Sequence, residues 1–309
     1  MNILPSLDVA VFTYERPVHL MNSVMSIVNF LPHSSLHVYD DGSSKQEQQS
    51  VLKLLGNYAR IHTRQHDIRL PGPRGGLYDN MRCALIDAYE NDADYLFLCQ
   101  DDVQIVRPVT PQDMQALSDA FRKNRDALSV WPFFHGGACS WRLREDSGVF
   151  IRPESSPAHG FQDVTVLNLK RFRDAGLEIQ PNEAETSRAA RKAGYKIVAQ
   201  VYPWAAFTPA PAVRRRGVSI HRVLQPLGDH LGLGFYPWKS MPQTDQESLL
   251  DRDPSSCPRA TEWLSVIGPR PTRMTARAPS LQEAASELFS RVRKRNPTER
   301  PEQTTDSER

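Results

Sequence analysis

The chain has 309 residues, 39% of them hydrophobic and 24% charged, which is enough apolar material for a core and excludes wholesale disorder. No run of about 18 apolar residues exists, so no transmembrane helix is expected. Lys and Arg number 38 against 36 Asp and Glu, a net charge of +2; that lacks the basic surplus of a dedicated nucleic-acid binder, and no nucleic-acid partner is expected.

The opening MNILPSLDVAVF has neither a basic segment nor a small-residue cleavage site, so a secretory signal is not expected. Cys83, Cys99, Cys139 and Cys257 are far apart and form no CxxC pair. A zinc site or a disulfide framework is therefore not expected, and a reducing cytoplasm is. The 24 prolines thicken after residue 200, and residues after about 295 read as disordered.

Leu7–Thr13 is a short apolar run ending in a polar turn, the pattern of a buried parallel strand. Pro17 opens a helix whose stripe is Leu20, Val24, Ile27, Val28 and Leu31. Leu36–Tyr39 is a second strand, running into Asp40-Asp41-Gly42-Ser43-Ser44. Val51, Leu52, Leu54 and Leu55 mark a second helix, and Ile61 to about Arg64 a third strand. Pro71–Gly76 is a loop. Leu77, Met81, Ala84, Leu85 and Ala88 recur at helical spacing. Tyr95–Cys99 is a fourth strand, ending at Gln100-Asp101-Asp102.

Strands alternating with helices of this length require right-handed crossovers and a mostly parallel sheet, an α/β fold with flanking helices. All strand C-termini then share one edge, where ligands bind. Asp40-Asp41 and Asp101-Asp102 both follow strands, so they meet on that edge with Thr13, Arg16 and Arg74. Clustered carboxylates repel unless a cation sits among them. Magnesium or manganese, held by one or two carboxylates and substrate phosphates, fits, with Arg16 and Arg74 on the remaining phosphate oxygens. Neither a Walker loop nor GxGxxG is present. Taken singly, each acidic pair also reads as a helix-capping turn or a solvated loop.

These segments resemble family 2 glycosyltransferases of the GT-A (Rossmann-like) fold. Val9–Pro17 is similar to the family's opening strand. Tyr39–Ser44 resembles its Asp-Asp-Gly-Ser segment, which contacts the nucleotide. Gly75-Gly76 through Asn80 and Ala84 resembles its glycine-to-Arg-Asn stretch. Leu96–Asp102 resembles its Asp-x-Asp metal motif, with Cys99 where the first acid falls. The resemblance implies nucleotide-sugar binding by Thr13, Arg16, Asp40, Asp41, Arg74, Asn80 and Asp101. It implies manganese or magnesium held by Asp102 first and Asp101 second, with His221 as a further ligand.

Asn182-Glu183-Ala184-Glu185, followed by Arg188, Arg191 and Gly194-Tyr195-Lys196, resembles the family's acidic motif and arginine helix. That places the general base on Glu183, with Asn182 and Glu185 flanking it; the plain alternative is acidic charge at a helix N-terminus. Asp163–Leu169 reads as a strand, with a helix beginning near Lys170. Trp131–Gly137 reads as a sugar-stacking surface or, equally, as a buried strand and turn. His159-Gly160-Phe161 falls where acceptor contacts lie. Arg214-Arg215-Arg216 reads as a solvated loop or a phosphate grip. His62 and His66 have i,i+4 spacing without a third ligand. Leu281–Val292 forms an amphipathic stripe with a basic end, a packed helix or a membrane-surface contact.

The expected organisation is a nucleotide-sugar-binding half over 1–105, an acceptor half of the same domain over 106–268, and an extension over 269–309. The resemblance implies an inverting, metal-dependent hexosyl- or N-acetylhexosaminyltransferase using a UDP-sugar. Its acceptor would be a glycan or glycolipid hydroxyl in surface polysaccharide synthesis, at the cytoplasmic face of a membrane. The alternatives are a nucleotidyltransferase and a non-catalytic nucleotide or sugar binder.

Overall fold

The computed structural model describes residues 5–63, 76–135, 141–156, 159–209 and 235–267, all within one compact unit. Its first half runs β1 (Leu7–Thr13), α1 (Pro17–Phe30), β2 (Ser35–Asp40), α2 (Gln46–Leu55), β3 (Arg60–Thr63), α3 (Leu77–Glu90) and β4 (Tyr95–Gln100). After β5 (Val103–Ile105) come α4 (Pro111–Lys123), β6 (Ala127–Trp131), β7 (Arg142–Arg144), β8 (Val149–Ile151) and β9 (Thr165–Asn168). Then follow α5 (Leu169–Asp174), α6 (Glu183–Lys192), β10 (Lys196–Gln200), β11 (Ala205–Phe207), α7 (Gln243–Asp251) and α8 (Ala260–Trp263).

A nine-stranded sheet has the order β3-β2-β1-β4-β9-β6-β10-β8-β7, and β11 pairs with β5 in a separate ribbon. β1 lies parallel to β2 and β4, β2 parallel to β3, and β10 parallel to β6. β9 runs antiparallel to both β4 and β6, and β8 antiparallel to β10. The sheet is therefore mostly parallel, and β9 joins the two halves of the chain into it. The resulting edge, where β1, β2, β4, β6 and β10 end, gathers residues from both halves.

Strand alternation sorts the core into two layers. Val9, Val11, Phe97 and Cys99 pack with Leu20, Val24 and Ile27 of α1. Ala10, Phe12, Leu96 and Leu98 pack on the other face with Met81, Ala84 and Leu85 of α3. A strand covered on both faces must be apolar throughout, and every residue of β1 is buried. α1 begins at Pro17, where the missing N–H costs nothing. Within the α2 stripe Leu52 and Leu55 are buried but Leu54 is exposed, because it lies about 100° off the core face.

Cysteine chemistry corrects one expectation. Cys257 is disulfide-bonded, whereas Cys83 and Cys99 are in no disulfide. The absence of a CxxC pair says nothing about cysteines brought together by the fold. No helix among the described residues is long and apolar enough to cross a membrane. The Leu281–Val292 stripe, Arg214–Arg216 and the tail after residue 295 lie outside the described residues.

Candidate functional site

β1 and β4 are neighbours in register, so the residues just past their ends meet. The Asp101 amide donates to the Phe12 carbonyl at 3.0 Å, and the Asp41 amide to the Thr13 carbonyl at 3.0 Å. These bonds extend the parallel ladders by one step and carry both acidic pairs to the same edge.

Asp101 is buried and fully engaged. Thr13 donates its hydroxyl to Oδ2 at 2.9 Å, and Arg16 Nη1 donates to Oδ1 at 2.8 Å. Gln48 donates to the Thr13 hydroxyl at 3.2 Å, so α2 helps to hold it. Burial pushes the Asp101 carboxyl up to about 6, against the pull of Arg16. Burial also opposes the Arg16 charge, yet Asp101 and Asp102 outweigh it and hold its pKa above the ordinary value.

Asp102 is placed differently. Its Oδ2 lies 3.5 Å from Arg16 Nη1, at the limit of a hydrogen bond, and its Oδ1 is buried with no hydrogen-bond partner among the described residues. Thr208, just past β11, donates both its amide and its hydroxyl to the Asp102 carbonyl, at 2.7 and 3.0 Å. The β5–β11 ribbon thus pins the Asp102 backbone.

Asp40 is buried and turned inward. It accepts the Ser43 amide at 2.8 Å and the Ser43 hydroxyl at 2.5 Å, a local turn that opens the approach to α2. Burial raises its pKa despite those bonds. Asp41 is half-exposed and accepts the Gly76 amide at 2.9 Å, linking the β2 end to the start of α3. Asn80 lies buried in the first turn of α3.

Glu15 completes this edge in a way the sequence reading missed. Its φ of 56° is left-handed, costly for a residue with a side chain. Its carboxylate accepts the Ser44 and Lys45 amides at 2.5 and 3.2 Å, and its own amide donates to Ser43 Oγ at 2.9 Å. The β1–α1 turn is thereby tied to the Asp40–Lys45 segment.

Residues at the start of α6 reach the same edge because α6 leads into β10, which is parallel to β6, and so must begin where those strands end. The Glu183 amide donates to the Tyr78 hydroxyl of α3 at 2.9 Å. Asn182 caps α6 by accepting the Glu185 amide at 3.0 Å, and donates its side-chain amide back to Glu185 Oε1 at 2.8 Å. Glu185 is thus engaged in helix capping, which is the structural alternative raised for it. Glu183 too stands in the first turn of α6, where its charge favours the helix N-terminus, and it acts on Arg152, whose pKa burial lowers.

Arg152 lies over the rings of Trp141 and Trp131, at 4.8 and 5.6 Å, and the two tryptophans stack at 5.2 Å. Of the Trp131–Gly137 run, Trp131, Phe133, Phe134 and His135 are buried, the strand-and-turn alternative for that segment. His159 is buried and its Nδ1 lies 3.0 Å from the Arg152 carbonyl. Arg152 and Trp141 carried no sequence signal, because no motif marks an arginine that gains its role by meeting Glu183.

Arg74 and His221 lie outside the described residues. The structure brings Thr13, Arg16, Asp40, Asp41, Asp101 and Asp102 to one edge and puts the N-terminus of α6 there too. Cys99, where an aspartate would complete Asp-x-Asp, points into the α1 layer with its thiol 3.9 Å from Ser23 Oγ. Burial pushes that thiol far up. An acid there would sit in the apolar core, so the usable acids are the two just beyond the strand.

An ionised Asp101–Asp102 pair with Arg16 carries a net negative charge and one buried, unpartnered carboxylate oxygen. That arrangement fits a divalent cation held by Asp102 alone, with its other positions left to water and phosphate oxygens. Asp101, with both oxygens engaged, offers no ready ligand atom.

No family model matches the chain, and no curated protein matches it. Solved structures are similar in part. S. aureus TarS superposes with a TM-score of 0.47 at 11% identity, over 79% of this chain and 42% of that one. TarS 1-349 gives 0.44 at 10% identity, over 79% and 69%. The mannosyltransferase PcManGT from Pyrobaculum calidifontis, solved with GDP-Man and Mn2+, gives 0.43 at 14% identity, over 92% and 70%. This chain therefore spans less than half the length of the first of these structures.

Proposed function

We propose that the protein is a glycosyltransferase of the GT-A fold, moving a sugar from a nucleoside-diphosphate sugar to an acceptor hydroxyl. The observation that carries the reading is Asp102 Oδ1, a buried and unpartnered carboxylate oxygen at the end of β4, beside Arg16 and on the edge that also holds Asp41 and the start of α6. Asp40 and Asp41 shape the nucleotide end of the site, and Asp102 holds magnesium or manganese. When bound, that ion offsets negative charge on the diphosphate as it leaves.

In the transfer step the acceptor oxygen forms a bond to the anomeric carbon from the face opposite the diphosphate. The bond from that carbon to the phosphate oxygen breaks, and its electron pair leaves with the nucleoside diphosphate. Glu183 accepts the hydroxyl proton. Tyr78 accepts the Glu183 amide and so holds the backbone of this residue at the start of α6. The stereochemical outcome is inversion, and the donor base expected is uracil.

A second reading has its own observation. Arg16 already supplies a cation to both acids, as in a binder that needs neither metal nor turnover. One experiment separates the two: thermal shifts with nucleoside diphosphates and nucleotide sugars, each with manganese, magnesium or EDTA, alongside a donor-hydrolysis assay. A transferase shows a shift with one nucleotide that EDTA and Asp102→Ala abolish, together with slow donor hydrolysis. A shift indifferent to EDTA, without hydrolysis, selects the binder. No shift with any nucleotide rejects both.

A further inference from the structure

A second cluster of ligand atoms lies away from the crevice acids, between the edge of the sheet and α3. His37 of β2, His62 of β3 and Asp87 of α3 bring Nδ1, Nε2 and Oδ2 together. The separations are 3.0 Å between the two nitrogens, 3.9 Å from His37 Nδ1 to Asp87 Oδ2, and 3.8 Å from His62 Nε2 to the same oxygen. A triangle of those sides has its centre about 2.1 Å from every corner, the length of zinc–imidazole and zinc–carboxylate bonds. We propose that His37, His62 and Asp87 form a zinc-type metal site, separate from the Asp102 site and independent of the function proposed above.

The surroundings suit a metal. Tyr39 donates its hydroxyl to Asp87 Oδ2 at 2.5 Å, orienting the carboxylate as an outer-shell partner does. The Tyr39 ring stacks on the His62 ligand at 4.4 Å, and the two imidazole rings lie 5.1 Å apart and 12° from parallel. The two facing nitrogens share one hydrogen bond, and a metal entering between them displaces that proton. Two imidazoles and one carboxylate favour zinc, cobalt, nickel or copper over magnesium. His62 and Asp87 are about a third exposed, so water can reach a fourth position.

The sheet register builds this site. Tyr39 pairs with His62 across β2–β3, which sets the edge strand against β2, and α3 crosses the same face. An ion here ties the edge strand β3 to α3.

Cobalt is the probe, added to the full chain after chelator dialysis and read by its visible absorption. One equivalent should produce an intense band of low-coordinate cobalt, displaced by zinc, and zinc should raise the melting temperature. His62→Asn and Asp87→Asn should each abolish the band and weaken uptake at least 100-fold. Tyr39→Phe should weaken it about tenfold, the scale of an outer-shell partner. Asp102→Asn should keep the band. Melting in chelator, little changed in His62→Asn because that side chain is about a third exposed on an edge strand, shows that the variant is folded. No band in the native chain, a band that survives both ligand substitutions, or one lost in Asp102→Asn instead, overturns the site.

Discussion

Arg16 Nη1 lies 2.8 Å from Asp101 Oδ1, an ion pair made between the turn after β1 and the end of β4 by residues 85 positions apart in the chain. It is nearly enclosed, with side-chain exposures of 12% and 5%. Removing one partner of such a pair leaves the other charge buried, so Arg16→Gln should destabilise the fold by about 3–5 kcal/mol. Arg16→Gln with Asp101→Asn should recover much of that loss, because neither group then carries charge. Urea unfolding of the single and double variants measures the coupling; additive losses would mean that the pair is not formed.

Glu183 and Asn182 are adjacent but do different work. Asn182→Ala removes the α6 cap and should cost about 1 kcal/mol of stability. Glu183→Gln should lower kcat by roughly 10²- to 10⁴-fold, with the donor KM little altered and the melting transition still cooperative. Steady-state kinetics beside thermal melting separates the two; a Glu183 variant with full kcat removes its role as base.

α6 is seated on Gly160. A Cβ there would run into the Ser187 carbonyl and come within 2.8 Å of Arg191 Cγ, while the Gly160 amide donates to Ser187 Oγ at 3.1 Å. Gly160→Ala should therefore destabilise by about 1–3 kcal/mol. Because α6 begins with Glu183, the same shift should lower kcat more than donor affinity. Donor binding and turnover measured on one preparation test this.

His135 is buried among Trp131, Trp141 and Phe150, and its Nε2 has no hydrogen-bond partner among the described residues. Burial, with Arg152 and Arg252 nearby, lowers its pKa to about 4 from the ordinary 6.5. Between those values the unfolded chain binds the proton and the folded one does not, so the stability is full above pH 6.5 and lost as pH falls towards 4. The loss is roughly 3 kcal/mol. His135→Phe should flatten this part of the acid limb. Melting temperatures from pH 7 to 4 for both proteins would show it as a narrowing difference; parallel curves would show that His135 does not titrate this way.

The sequence by itself determined the strand–helix alternation of the first hundred residues, because apolar periodicity is local. β1 as Leu7–Thr13, α1 opening at Pro17 and the α3 stripe were all legible from spacing. So was the meeting of Asp40-Asp41 with Asp101-Asp102, since a parallel sheet fixes the edge on which its strands end. Local pattern marked β9 as a strand within Asp163–Leu169 but was silent on its antiparallel entry between β4 and β6, because a short strand does not record its direction or neighbours. It was equally silent on which acid oxygen stays open. That depends on Arg16 and Thr13 reaching Asp101 and leaving Asp102 Oδ1 without a partner. The His37–His62–Asp87 cluster belongs to the same class: its residues lie far apart along the chain, and only strand register with the crossing of α3 brings their ligand atoms within bonding distance of one ion.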